Sequence, residues 1–179
     1  MNWPDELRAK LFERRTVLLS GELDAATAGH AAAELMTLDA SGDNPVDLRI
    51  DACGGTFEAA FTLMDVIDLL GVPVTATCMG RAEGPVVGVL AVAHRRVAAP
   101  HARLRLCLPA VAFDGRSREV AGWANDQRRQ VDRFAQRVAG ASGLSAERVL
   151  AELEAGRYLD AAEARRLRLI DEVYATALR

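Results

Sequence analysis

The chain has 179 residues, half of them hydrophobic and 26% charged, the balance of a globular protein with ample length for one buried core. Its formal net charge of −3 offers nothing to nucleic acid or to an anionic membrane surface, and no apolar run reaches the ~20 residues needed to span a bilayer. Three cysteines, Cys53, Cys78 and Cys107, suit neither a disulfide framework nor a zinc site, so no metal or other cofactor is expected.

Residues 1–15 read as a charged amphipathic lead without the apolar core of a signal peptide, which implies a cytoplasmic protein. A short β-branched and aliphatic strand follows at 16–19. Asp24 is placed to cap a helix over 25–40, where Ala28, Ala31 or Ala32, Leu35 and Leu38 recur near helical spacing. Ser41-Gly42-Asp43-Asn44-Pro45 is turn chemistry and ends it. Val46, Leu48 and Ile50 alternate with polar residues as in a strand with one buried face. After Gly54-Gly55 the period turns helical over 56–70, and Gly71-Val72-Pro73 breaks that helix. A strand at 74–78 then runs into what reads as a tight turn over 80–84.

Residues 86–93 are apolar on every side and predict a buried helix, followed by short strands at 97–99 and 103–107. From 118 to 141 the pattern is a long amphipathic helix, with Val120, Trp123, Val131, Phe134, Ala135 and Val138 on one stripe. Ser145 is placed to cap a short helix ending near Leu153, Gly156 allows a turn, Asp160 caps a last short helix, and 169–173 predicts a final strand. Strands alternating with helices imply an α/β fold with a parallel sheet and right-handed crossovers. The long late helix does not fit a simple doubly wound sheet and reads as an element that projects and packs on something else.

A strand–turn–helix junction is where an enzyme holds an exposed nucleophile. Here the junction carries Gly84-Pro85, and no serine lies between Gly54 and Arg103. Glu83 at this turn reads most simply as a solvated residue favoured by the following helix dipole.

At Ile50-Asp51-Ala52-Cys53-Gly54-Gly55-Thr56 the pattern resembles the ClpP family of self-compartmentalising serine peptidases. The lead and strand over 11–21, Thr77-Cys78-Met79-Gly80-Arg81-Ala82, Pro100-His101-Ala102-Arg103, and the two stretches at 158–164 and 167–173 are similar to its further motifs, in order. The resemblance covers roughly residues 11 to 174. It implies a crotonase-like α/β spiral of parallel β-sheet repeats with a long projecting handle helix. The layout it implies is a single domain over 1–179. The lead would be 1–15, the head 16–115, the handle 118–141 and the rest of the head 145–174. It further implies stacked rings, built as a homo-oligomer or with catalytic ClpP paralogues, to which an AAA+ unfoldase could dock.

Carried over residue by residue, the family's nucleophile position falls on Gly84, its histidine on Cys107 and its aspartate on Gly156. One backbone oxyanion donor would come from the residue after the nucleophile, which is Pro85 and has no N–H. The other, from Gly54-Gly55, could survive. The resemblance therefore implies a catalytically inactive ClpP-like subunit with a structural or regulatory role in a ring. Two alternatives stay open: a peptidase with a relocated site on Cys107, and a crotonase-type enzyme that binds an acyl thioester at the glycine turn. Cys78 reads as core, Cys53 could face the cleft, and Arg128, Arg129, Arg133 and Arg137 read as a solvated face or as inter-ring salt bridges.

Overall fold

The computed structural model of the protein describes residues 5–110 and 117–174. Residues 1–4 of the predicted lead and 111–115 of the predicted head lie outside them. The elements run α1 (Asp5–Phe12), β1 (Thr16–Glu22), α2 (Ala25–Ala40), β2 (Val46–Cys53), α3 (Phe57–Leu69), β3 (Val74–Glu83) and α4 (Val86–Ala91). There follow β4 (Arg95–Ala98), β5 (Arg103–Arg105), α5 (Ser117–Ser142), α6 (Ala146–Ala155), β6 (Tyr158–Asp160), α7 (Ala161–Arg166) and β7 (Glu172–Val173).

The architecture is α/β with a mostly parallel sheet, as the alternation of patterns predicts. Strands β1, β2, β3, β4 and β7 lie side by side in that order, all parallel. Strict alternation in β2 sends Val46, Leu48, Ile50 and Ala52 into the core. Leu35 and Leu38 of α2, Leu63, Met64 and Ile67 of α3, and the whole of α4 are buried in the same core. Burying a Leu or Ile side chain stabilises by about 1.5–3 kcal/mol, so these rows are the main favourable term of the fold. Asp24 caps α2 by accepting from the Thr27 N–H at 2.7 Å, as expected. Across the other face of the sheet, Asp47, Thr75, Thr77, Arg95 and Tyr174 line a recess of about 470 Å³.

Residues 80–83 of the turn predicted at 80–84 are instead strand, and the turn falls at Gly84-Pro85. Ile50 pairs with Cys78 and Ala52 with Ala82, so β3 bulges between those two pairs. Beyond the bulge it pairs in parallel with β5 through Arg81↔Arg103 and Glu83↔Arg105. Asp51 sustains the bulge by accepting from the Arg81 N–H at 3.2 Å. A Cβ at Gly80 would stand 2.6 Å from Asp51 Oδ1, so a larger residue there would displace the carboxylate that holds the bulge. Glycine next to polar residues reads as a turn in sequence, yet here it marks a strand that changes neighbours. Two further elements escape sequence reading: the lead is helical as α1, and β6 pairs antiparallel with β5. The final strand is also shorter than the predicted 169–173. Leu169 and Ile170 turn into the core, and Asp171 is held by the Arg96 N–H at 2.8 Å.

Helix α5 is anchored by its C-terminal half. Phe134, Ala135 and Val138 are fully buried, whereas Val120 of the predicted stripe is exposed. The Phe134 ring lies 4.9 Å from that of Phe57 and covers Gly88, where a Cβ would come within 2.4 Å of it. Gln130 reaches Glu58 on α3 at 2.7 Å, and Arg137 pairs with Asp68.

Candidate functional site

Four glycines with positive φ meet where β2, β3, β5 and α6 end. Gly54 (66°) and Gly55 (87°) link β2 to α3, Gly84 (63°) links β3 to α4, and Gly156 (57°) is the left-handed cap of α6. Gly55 is obligatory, since a Cβ would lie 1.9 Å from the Leu23 carbonyl oxygen. Thr56 then starts α3, its side chain accepting from the Ala59 N–H at 3.2 Å.

Gly84 donates its N–H to the Arg105 carbonyl at 2.8 Å, which fixes the end of β3 against β5. Pro85 follows as the N-cap of α4, with φ −58°. A Cβ built on Gly84 stands 3.7 Å from Cys107 Sγ and 4.0 Å from Gly54 Cα, both ordinary contacts. A Cβ built on Gly156 stands 3.7 Å from Cys107 Cβ and 3.5 Å from Arg105 Nη2. Cys107 therefore lies between Gly84 and Gly156. The structure brings these three sequence-selected residues together with Gly54. It also places Pro85 at the head of α4.

Cys107 is half-buried just after β5, outside the strand predicted to contain it. Burial pushes its thiol up, Arg105 pulls it down, Glu83 adds to the rise, and the Gly84 amide opposes it; the net direction is up. A raised thiol holds less thiolate, which is the reactive form. No imidazole answers for a base. His94 accepts from the Val74 N–H at 3.2 Å, at the opposite end of β3. His101 is exposed in the turn that precedes β5, six residues before Cys107. His30 sits on α2 beside Glu34 at 3.1 Å. Among the described residues no cluster of three His, Cys, Asp or Glu side chains could hold a metal.

Cys53 is half-buried at the end of β2, and Cys78 is buried as expected, its thiol pushed up to about 12 by burial and by Asp51. Glu83 is not the solvated helix-start residue expected. It closes β3, half-buried and in register with Arg105.

Sequence reasoning missed Arg105. Its Nε donates to the Gly156 carbonyl at 2.6 Å, and its guanidinium lies 4.9 Å from the centre of the Tyr158 ring. Arg103 approaches the same ring at 4.3 Å. Among the described residues neither arginine has a carboxylate within ion-pair distance. The signal was the alternation Arg103-Leu104-Arg105. Leu104 is fully buried, so both arginines fall on the opposite face.

The Clp protease family pattern matches residues 3–177. The chain is 28% identical to the ATP-dependent Clp protease proteolytic subunit 3 of Rhodococcus jostii, over 97% of this chain and 87% of that one. It is 31% identical to a Clp protease proteolytic subunit-like protein of Streptomyces coelicolor, over 92% and 81% of the two chains. It is 27% identical to the proteolytic subunit 1 of Thermobifida fusca, over 92% and 76%.

Proposed function

The chain belongs to the Clp protease family, and we propose that within it this chain is a catalytically silent subunit with a structural or regulatory role in a Clp-type ring. Gly84, Cys107 and Gly156 take the positions of nucleophile, base and orienting carboxylate. The observation that carries this reading is their juxtaposition. A triad needs its base between nucleophile and carboxylate, and Cys107 lies 3.7 Å from the built Cβ of each glycine. The places for the triad side chains exist, and two of the three hold no side chain at all.

Pro85 supports the same reading. The backbone donor after the nucleophile is absent, and losing one such donor costs about 10²–10³ in rate. A thiol peptidase on Cys107 is disfavoured by the raised thiol and because no imidazole is among the groups that act on it. Helix α5, which exposes Val120, is the element proposed to stack one ring on another. The ring is proposed to contain this chain alone or together with catalytic paralogues, and to receive an AAA+ unfoldase.

The test uses the purified, reduced protein with fluorogenic peptides and a fluorophosphonate probe. No labelling and no hydrolysis are expected. Labelling by the probe overturns the proposal. Hydrolysis abolished by Cys107→Ala would replace it with a thiol peptidase. A native-mass pull-down from the source cells tests the ring: recovery with a catalytic subunit at fixed stoichiometry is the mixed-ring outcome.

A further inference from the structure

We infer that the vacated cleft seats the C-terminal end of a peptide, with the terminal carboxylate on Arg105. This rests on the silent-subunit reading of the same cleft and names the class of ligand it takes. The geometry supplies two recognition elements, one on either side of Cys107.

The first is Arg105. A guanidinium offers five N–H donors in a fixed fork that matches a carboxylate. Among the described residues only Nε of this arginine has an acceptor, the Gly156 carbonyl at 2.6 Å. The Tyr158 ring 4.9 Å away holds the plane from one side. With Nε tied and the Tyr158 ring at cation–π distance, the fork is positioned before any ligand arrives, which lowers the entropy lost on binding. Nη2 lies 3.5 Å from the point where a Cβ on Gly156 would stand, so the free donors border the space left by the missing side chain. Glu83 stands in register beside Arg105 on β3, beyond ion-pair distance.

The second element is the Gly54-Gly55 turn. Neither amide donates to a backbone carbonyl among the described residues. Gly54 Cα is 4.0 Å from the built Cβ of Gly84. Cys107 lies between the two elements, within 3.7 Å of the built Cβ of Gly84 on one side and of Gly156 on the other. A ligand that offers an amide carbonyl to one side and a carboxylate to the other is the end of a peptide chain. With no nucleophile in reach, such a peptide is held and not cut.

The experiment is fluorescence polarisation of the protein, in its assembled form as purified, with a fluorescein-labelled neutral hexapeptide. The peptide carries either a free carboxylate or a carboxamide. The free acid is expected to bind about 10- to 100-fold more tightly, the range for hydrogen bonds to a charged group. Arg105→Gln is expected to weaken the acid by the same factor and leave the amide unchanged. Equal affinity for the two peptides, or no binding of either, overturns the inference. The acid–amide comparison on the unaltered protein decides even where the variant fails to fold. Mass spectrometry of the recovered peptide separates the two readings. Cleavage would sink the silent-subunit proposal, while acid preference alone bears on Arg105.

Discussion

Restoring the triad by Gly84→Ser, Cys107→His and Gly156→Asp is sterically allowed and should still fail. Built Cβ atoms at positions 84 and 156 meet nothing closer than 3.5 Å, so neither side chain forces a clash. Both positions are left-handed, at φ 63° and 57°, which costs about 1–2 kcal/mol per non-glycine residue. Two obstacles remain. Pro85 supplies no oxyanion donor, worth about 10²–10³ in rate. The new aspartate would stand beside Arg105 Nη2, which captures it in a bidentate pair and leaves the new histidine unoriented, a loss of up to about 10⁴. The assay is hydrolysis of a fluorogenic peptide, with the rate of fluorophosphonate labelling as a second readout. Adding Pro85→Ala to the triple variant is expected to raise the rate by about 10²–10³, and adding Arg105→Leu to raise it again. A quadruple variant no faster than the triple one, or a triple variant already at full peptidase rate, refutes the account of the oxyanion site.

Gly55→Ala is expected to destabilise the protein by about 3–5 kcal/mol in urea unfolding, because its Cβ would overlap the Leu23 carbonyl; Gly54→Ala, with open space around it, should cost only about 1–2 kcal/mol. Glu152 is buried and accepts from Arg148 at 2.6 Å and from Arg157 at 2.9 Å, so Glu152→Ala should cost about 1–3 kcal/mol by the same measurement, and the exposed Arg148→Ala less than about 1. At pH 8, Cys107 is expected to react with an alkylating reagent more slowly than a free thiol, and Cys78 only after denaturant is added. The folded Cys78 thiol is raised from 9.0 to about 12, so the unfolded chain sheds that proton first; its contribution to stability is complete below about pH 9 and is lost as pH rises towards about 12. A guanidinium midpoint unchanged between pH 8 and pH 11 in Cys78→Ala and wild type alike would contradict this.

The buried rows were legible because their periods are strong. Alternation over Val46, Leu48 and Ile50 and helical spacing over Ala28 to Leu38 yield β2 and α2, the latter with its predicted Asp24 cap. Gly84, Cys107 and Gly156, singled out from the sequence, lie beside one another in the structure. What escaped was non-local. Gly80-Arg81-Ala82-Glu83-Gly84 reads as a turn until Asp51, thirty residues before Arg81, accepts from the Arg81 N–H and sustains a bulge. The strand β6 has three residues and gains its conformation from β5, not from its own pattern. Arg105 was not singled out because its partners, the Gly156 carbonyl and Tyr158, lie some fifty residues away.

The left-handed glycine at the head of α4 has a consequence for the direction in which such a chain can change. A serine held at φ 63° strains its own backbone, whereas glycine occupies that conformation without penalty. The same holds at Gly156. On the silent-subunit proposal, glycine at both positions relaxes the scaffold, and a triad would strain it at two of its three places. A single Gly84→Ser replacement is then expected to lose stability and return no activity, because positions 85, 107 and 156 would still lack donor, base and carboxylate. The route to a triad would run uphill in stability through several variants. Backbone geometry makes such a path a one-way ratchet.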